Sequence, residues 1–565
     1  MKKSHFLFVL LVVVLLVWAG FPQVVEVKAE PRTLVVPDDF STIQEAVDAA
    51  SEGDTVFVKS GTYTESVCID QTLSLVGEDP ATTKIVGEYQ LNGTVVLIRH
   101  NNVSVTGFTV QPSAYSFSRK GVHLLHVSHC SVVGNVILDN GVGVWLYGSS
   151  ENNITGNTIN GPVERSYGIW ADKSPSNWIL DNIVTNNYYG ISINSDGNTV
   201  CGNTVVSNSR KGVTIRSNNN IVSGNVVTNQ ESGIVLAGSN NVLRDNKVSE
   251  SELSFDLAWG LQWSVSDFVN DVDSSNTFDG KTVVYWVNEH NNKVPEDVQT
   301  VVLVNCTNIT VENLVLSNSR EGIMLVGTTK STVRNNSVQS MDDAILLFLS
   351  SNNTITDNTV HDSSDGVLLC SSFQNTITGN SIADGNTGIK LDTSDENILS
   401  GNVISDGNRG GISLEGSNNN KIFGNTVSDC TRRAVWLWNH ASQNLFYLNN
   451  FVNNTVNVEK YIADIIDCTF PPNVWDNGTL GNYWNDYNGT DTNSNGIGDT
   501  PYIIEENNQD NYPLMEQVDI STIPEFPSLI LLVSGLFVVG VLSIICRRAF
   551  KSVEMKKQKV SSAFR

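Results

Sequence analysis

Short apolar–polar alternations bounded by Asn and Gly, with no helical phase, fill most of this chain. The segments "NNITGNTI" (152–159), "NNIVSGNVV" (219–227), "SNNVLRDNKV" (239–248), "SNNTITDNTV" (351–360), "FQNTITGNSI" (373–382) and "DENILSGNVI" (395–404) align. Each carries an Asn followed, two residues on, by a β-branched residue. The recurring asparagines are Asn157, Asn182, Asn203, Asn225, Asn246, Asn313, Asn336, Asn358, Asn380, Asn402 and Asn425, mostly 21 to 23 residues apart. Gly-Ile or Gly-Val follows most of them, at Gly190, Gly212, Gly233, Gly322, Gly366, Gly388 and Gly411. Short β-branched strands with alternating faces and polar corners, repeated at this length, predict a parallel β-helix. One coil cannot bury its apolar side alone, so coils stack at the ~4.8 Å strand spacing. Asn at one corner can hydrogen-bond up the stack and tolerates a left-handed backbone, so the recurring Asn reads as structural.

Two stretches break the period. In 33–60, Ile43, Ala46, Val47 and Ala50 fall on one face of a short helix with Ser41 as its expected N-cap, suited to covering the first coil. Residues 251–300 are aromatic-rich (Phe255, Trp259, Trp263, Phe268, Tyr285, Trp286) and read as irregular coils covering one face of the solenoid.

The stretch "STIQEAVDAASEGDTVFVKSGTYTE" resembles the start of pectin-lyase-like right-handed β-helix proteins. The repeats, "NTFDGKTVVYWVNEHNNKVP" (276–295) and "GNYWNDYNGTDTNSNGIGDTPYII" (481–504) resemble the NosD-type, carbohydrate-binding and sugar-hydrolase group within that superfamily. The likeness covers roughly residues 33–515 and implies the right-handed coil, which periodicity does not show. The expected fold is thus an all-β, single-stranded right-handed parallel β-helix with an N-terminal helical cap and a C-terminal transmembrane helix.

Targeting signals flank this body. Lys2-Lys3, the apolar run Phe6 to Ala19 and Val27-Lys28-Ala29 have the layout of a secretory signal peptide. Leu529 to Cys546 is uncharged and apolar, and Arg547-Arg548 with later lysines follows it, so the body belongs outside the cell. With Pro524-Glu525-Phe526-Pro527 before it, this end resembles archaeal C-terminal sorting signals; a permanent single span is the alternative. Sequons at Asn92, Asn102, Asn308, Asn477 and Asn488 fit an exported, glycosylated surface. The expected division is 1–29 signal peptide, 30–95 cap and first coils, 96–250 repeats, 251–300 irregular coils and 301–460 repeats. There follow 461–515 C-terminal cap, 516–527 linker, 528–546 membrane helix and 547–565 basic tail. The charge of -25, from 34 basic and 59 acidic residues, disfavours nucleic acid as a partner. Carbohydrate, cell-envelope components and the membrane remain. Eight cysteines, widely spaced, set no disulfide framework.

Stacking turns sequence positions into surface columns. The residues before each Gly-Ile, or its Ala equivalent, are Glu321, Asp343 and Asp365 on consecutive coils. Separations of ~5 and ~10 Å bracket those of retaining and inverting glycosidases. Asp342-Asp343-Ala-Ile resembles the paired-aspartate setting of polygalacturonases, but the chain has no Gly-His-Gly or Arg-Ile-Lys companion. Acids that merely cap strand starts are the alternative. An outward column contains Trp145 and Trp170, which either stack on sugars or pack under a loop. It continues through Met324, Leu346 and Leu368, which with Val326 and Phe348 are too apolar to lie uncovered.

In "DTNSNGIGD", Asp491, Asn493, Asn495, the Ile497 carbonyl and Asp499 have the alternating-oxygen spacing of a calcium loop. Tyr502 replaces the usual acid and Asp510 is a substitute. Copper enters through the NosD resemblance, which directs attention to His123, His126, His129 and Cys130. Strand alternation puts His126 opposite the other two histidines, which weighs against copper. Three functions follow: a glycan-binding or scaffold protein of the cell surface, a polysaccharide hydrolase or lyase, and a copper-centre accessory.

Overall fold

The computed structural model describes residues 30–522, apart from 163, 252, 258–263, 318, 462–471 and 506–507. The signal segment and the membrane helix expected at 528–546 lie outside these residues. Among the described residues no helix is long and apolar enough to cross a membrane. The chain divides into two compact units, one up to Arg216 and one from Ser217, so the division falls inside the 96–250 repeat block.

In the first unit successive coils pair strand on strand, all parallel. Ser131–Val133, Asn153–Thr155, Trp178–Leu180 and Thr199–Cys201 form one stack. Val136–Leu138, Thr158–Asn160, Ile183–Thr185 and Thr204–Val206 form a second. A third is built from the longer strands Lys120–Leu125, Val142–Tyr147, Tyr167–Asp172, Tyr189–Asn194 and Lys211–Arg216. The period-2 alternation decides the faces. Ile154, Ile179 and Val200 point in and are fully buried, as are Ile169 and Ala171 on either side of the half-buried Trp170. A helix α1, Ile43–Ala49, packs Ile43, Ala46 and Val47 inward. Its N-cap is Thr42, which accepts from the Glu45 amide at 3.2 Å, whereas the expected cap Ser41 donates to the Glu45 carboxylate.

The second unit repeats the plan over residues 298–484. Six-residue strands, Glu321–Val326, Asp343–Phe348, Asp365–Cys370, Thr387–Asp392 and Gly410–Glu415, stack in register. Two stacks of three-residue strands complete the coil, represented by Thr354–Thr356 and Thr359–His361. Within the stretch 251–300, Thr277–Phe278 and Lys281–Val287 form an antiparallel turn before parallel pairing resumes. Trp259 and Trp263 lie outside the described residues, but Val265 and Phe268 of this stretch lie against the apolar outer column. Phe268 packs on Phe348, Val265 lies beside Gly327, and Met324, Leu346 and Leu368 are buried.

The recurring Asn is structural by a mechanism different in one respect from expectation. The left-handed backbone belongs to the residue before it, such as Gly156, Asp181, Gly202, Asp357 or Gly379. The Asn itself turns inward and is buried. Asn358 donates through its backbone N and Nδ2 to Asn380 Oδ1 (3.0 and 2.9 Å), and Asn380 does the same to Asn402. Asn313 is not a rung: it holds the left-handed corner at φ 60°, and Leu314 occupies the ladder position. A second ladder runs through Asn353, Asn375, Asn397, Asn420 and Asn444. The six described cysteines are unbridged.

Candidate functional site

The first unit carries a continuous aromatic column on its long-strand face. Register places His123 opposite Trp145 and Trp145 opposite Trp170. The rings stack His123–Trp145 at 4.5 Å, Trp145–Trp170 at 5.3 Å, Trp170–Tyr167 at 4.8 Å and Tyr167–Tyr189 at 4.8 Å. Lys120 lies over Trp145, Lys173 over Tyr147 and Arg210 over Tyr188. The expected neighbourhood of Trp145 and Trp170 is therefore present, but these two indoles spend both faces on each other, His123 and Tyr167. What they offer a ligand is an apolar edge flanked by hydroxyls and cations. His123 is buried, which lowers its pKa to about 4 and keeps it neutral.

The same packing separates the proposed copper ligands. His123 is locked in the stack, and His126 sits at a left-handed corner with its ring edge-on to Tyr147. His129 pairs with Glu151 at 2.8 Å, and the buried Cys130 thiol contacts the carbonyls of His100 and Ser128. These four side chains do not converge, so the donor set does not fit a copper ion. Among the described residues no group of three His, Cys, Asp or Glu side chains is arranged to hold a metal.

In the second unit Glu321, Asp343 and Asp365 do fall in register on consecutive strands. Glu321 and Asp343 are buried, and Asp365 is the member solvent reaches most. Burial, then the Asp365 and Asp342 charges, push Asp343 up to about 7 against the pull of Arg320 and Lys390. Burial also raises Asp365, opposed by Lys390 and by a hydrogen bond from Thr387. Arg320 ties the region to the covering segment, meeting Asp256 at 2.9 Å and Asp342 at 3.2 Å. The column continues through Thr387, Gly410 and Arg433, whose side chain lies over Gly410 and against Trp436. Nothing in the local sequence marks Arg433 as a completely buried cation; the empty place above Gly410 is the signal that could have found it.

The 491–499 loop holds its oxygens in Asx-type turns. Asp491 accepts from the Asn495 and Gly496 amides, and Asn493 from Asn495. Asn495 accepts from Ile497. Asp499 accepts from the Thr492 amide and the Thr490 hydroxyl, bonds that hold its carboxyl below the usual range. Asp510, the expected substitute ligand, is elsewhere: it is buried and accepts from the Asn482 amide at 2.7 Å and Trp484 Nε1 at 2.9 Å.

Each unit is thus a stack of β-coils with an Asn-laddered interior; the long-strand stack carries the aromatic column in the first unit and the acidic column in the second. The fold and the family matches fit the right-handed parallel β-helix proteins of the pectin-lyase-like kind. Residues 47–218 match the family model for periplasmic copper-binding protein (NosD), and residues 287–451 match the right handed beta helix region. A cell surface glycoprotein of Methanothermus fervidus is 28% identical over 149 residues, 26% of this chain. The match spans 23% of that relative's length. Among solved structures, an alginate lyase from Paenibacillus aligns at 18% identity over 54% of this chain and 94% of its own, with a TM-score of 0.30. The catalytic domain of a GH87 alpha-1,3-glucanase aligns at 12% identity over 66% of each chain, with a TM-score of 0.31.

Proposed function

We propose that this protein is an exported, membrane-anchored component of the cell surface that binds carbohydrate through its β-helix. The observation that carries the reading is the aromatic column His123–Trp145–Trp170–Tyr167–Tyr189, built on successive coils and edged by Lys120 and Arg210. A half-buried apolar strip with hydroxyl and cationic borders suits a polysaccharide laid across the coils. The similarity to an archaeal cell surface glycoprotein supports the location. A glycan array probed with the purified protein tests it. Trp145→Ala with Trp170→Ala is expected to weaken the strongest signal at least tenfold, with the far-UV spectrum of the fold retained. Unchanged binding by the double variant would remove the column from the site.

A second reading is favoured by one observation, the in-register pair of carboxyls on neighbouring strands, the buried Asp343 and the half-buried Asp365. Asp343, pushed up to about 7 by burial, can hold the proton that general acid cleavage of a glycosidic bond requires, and Asp365, also raised by burial, is the neighbouring carboxyl that would partner it. Asp343→Asn would then abolish product release from a bound polysaccharide and leave its binding intact; equal turnover in the variant rejects the reading. Calcium at Asp491, Asn493, Asn495, Ile497 and Asp499 is proposed as a stabiliser of the C-terminal cap, since binding would exchange Asx-turn amides for the cation. A calcium-dependent rise in Tm that Asp491→Ala removes is the expected sign.

A further inference from the structure

The C-terminal cap of the second unit contains a cavity of about 410 Å³ that none of these readings uses. It lies between the turn at 454–458 and two cap segments, 485–486 and 502–504. Its polar centre is a triad. Asn457 Nδ2 donates to Asp486 Oδ1 at 2.9 Å and to the Tyr502 hydroxyl at 3.1 Å, and that hydroxyl donates to Asp486 Oδ2 at 3.2 Å. Tyr502 is fixed from behind by stacking on the buried Trp484, with ring centres 4.4 Å apart. Asn457 is 8% exposed, yet its Oδ1 has no hydrogen-bond partner.

A buried amide oxygen left without a donor costs about 1–3 kcal/mol, so a native fold keeps one where something else supplies the donor. Every spare capacity of the triad is an acceptor: the Asn457 Oδ1 and the remaining lone pairs of Asp486. The missing ligand must therefore bring donors. The cavity is also bordered by two conspicuously exposed aliphatic side chains, Val456 at 42% and Ile503 at 61%. Donor groups on one edge and C–H on a face is the surface of a sugar ring. A single carboxylate is a poor nest for a divalent cation, and the same carboxylate repels an acidic sugar.

We propose that this cavity is a subsite for one neutral sugar unit, with hydroxyls donating to Asn457 Oδ1 and Asp486 and the ring's C–H face against Val456 and Ile503. This inference rests on the carbohydrate-binding reading and adds a second, separate contact with a stated sugar class. Isothermal titration of the full-length protein with cellohexaose, laminarihexaose and mannohexaose, and with a hexauronate as the acidic counterpart, tests it. At least one neutral hexaose is expected to bind, and Asn457→Ala is expected to weaken it tenfold or more. Val456→Trp, at an exposed position on the rim, is expected to do the same by filling the cavity. Neutral hexaose binding that both variants leave unchanged would overturn the subsite and spare the broader reading. No binding of any oligosaccharide would overturn both. Tighter, Asn457-dependent binding of the hexauronate would overturn the sugar class, and an Asn457-dependent heat with calcium alone would make the cavity a cation site instead.

Discussion

Asp343 is the residue at which burial and charge compete most openly. Its carboxyl ionises near 7 in the fold, against 3.8 when unperturbed. Below about pH 4 both folded and unfolded chains hold the proton and the group is neutral with respect to stability. As pH rises toward 7 the unfolded chain releases its proton freely while the folded one retains it, so stability falls, by at most about 1.4 kcal/mol per pH unit. Above 7 the loss is complete and constant. Asp343→Asn removes the penalty: its Tm is expected to exceed that of the parent at pH 8 and to match it near pH 4. A parent Tm that does not decline between pH 4 and 7 would contradict the assignment. The ladder asparagines behave oppositely, because they are satisfied. Asn380→Ala deprives Asn358 of its acceptor and leaves the Ile355 carbonyl without its 2.9 Å donor. The Ile355 carbonyl keeps its ladder partner, so the one orphaned buried donor, the Asn358 backbone amide, predicts a loss of about 1–3 kcal/mol in denaturant unfolding. The exposed corner residue Gln374 substituted by Ala should cost under about 0.5 kcal/mol.

At the scale of the strand, the Gly of each Gly-Ile repeat is set by a close approach. A Cβ at Gly388 would stand 2.4 Å from Ile404 Cγ2 and 2.7 Å from the Gly411 carbonyl of the next coil. Gly388→Ala is therefore expected to cost about 1–3 kcal/mol, measured as a shift in the denaturation midpoint. The coil with Ala344 in this place shows that the strain can be absorbed where neighbours yield, so loss of folding is not expected. This grain of the fold was legible in the sequence because stacking repeats it: strand faces, coil length, the covered apolar column and the registers Glu321–Asp343–Asp365 and Trp145–Trp170 all follow from period and alternation. Features set by one side chain's direction were not. Asn313 and Asn336 look alike in the repeat, yet one is a left-handed corner and the other a buried rung, because Leu314 takes the rung's place. Trp145 and Trp170 read as an open platform, whereas their faces are consumed along the stack. Thr42 supplants Ser41 as a cap by a single residue of chain direction. The cavity at Asn457 joins residues 45 apart in the chain, Asn457 and Tyr502, where the sequence period no longer operates.

For a molecule built of repeats, the open end is the collective problem, since each coil satisfies its neighbour and the last has none. In the second unit one Asn ladder donates onward to its end, Asn425 to Asn449 and Asn449 to Asn482. Asn482 donates in turn to Asp510 Oδ2, from its backbone amide at 2.7 Å and from Nδ2 at 3.3 Å. A carboxylate needs no acceptor beyond itself, so the chain of donors closes there. Trp475 and Trp484, stacked on Phe446 and Phe451 at 4.3 and 4.5 Å, cover the last apolar layer. Burial pushes Asp510 up to about 6, and the cap is accordingly firmer below that pH than above it. Asp510→Ala strips acceptors from the Asn482 amide and from Trp484 Nε1 at once. Unfolding by guanidinium should begin at a lower midpoint by an amount equivalent to about 2–5 kcal/mol. Light scattering should show association growing with concentration as the exposed edge finds other copies. Asp510→Asn keeps an acceptor oxygen for Asn482 and should restore most of both. Should the alanine variant stay monodisperse with an unshifted midpoint, the end of this solenoid is closed by its tryptophans alone.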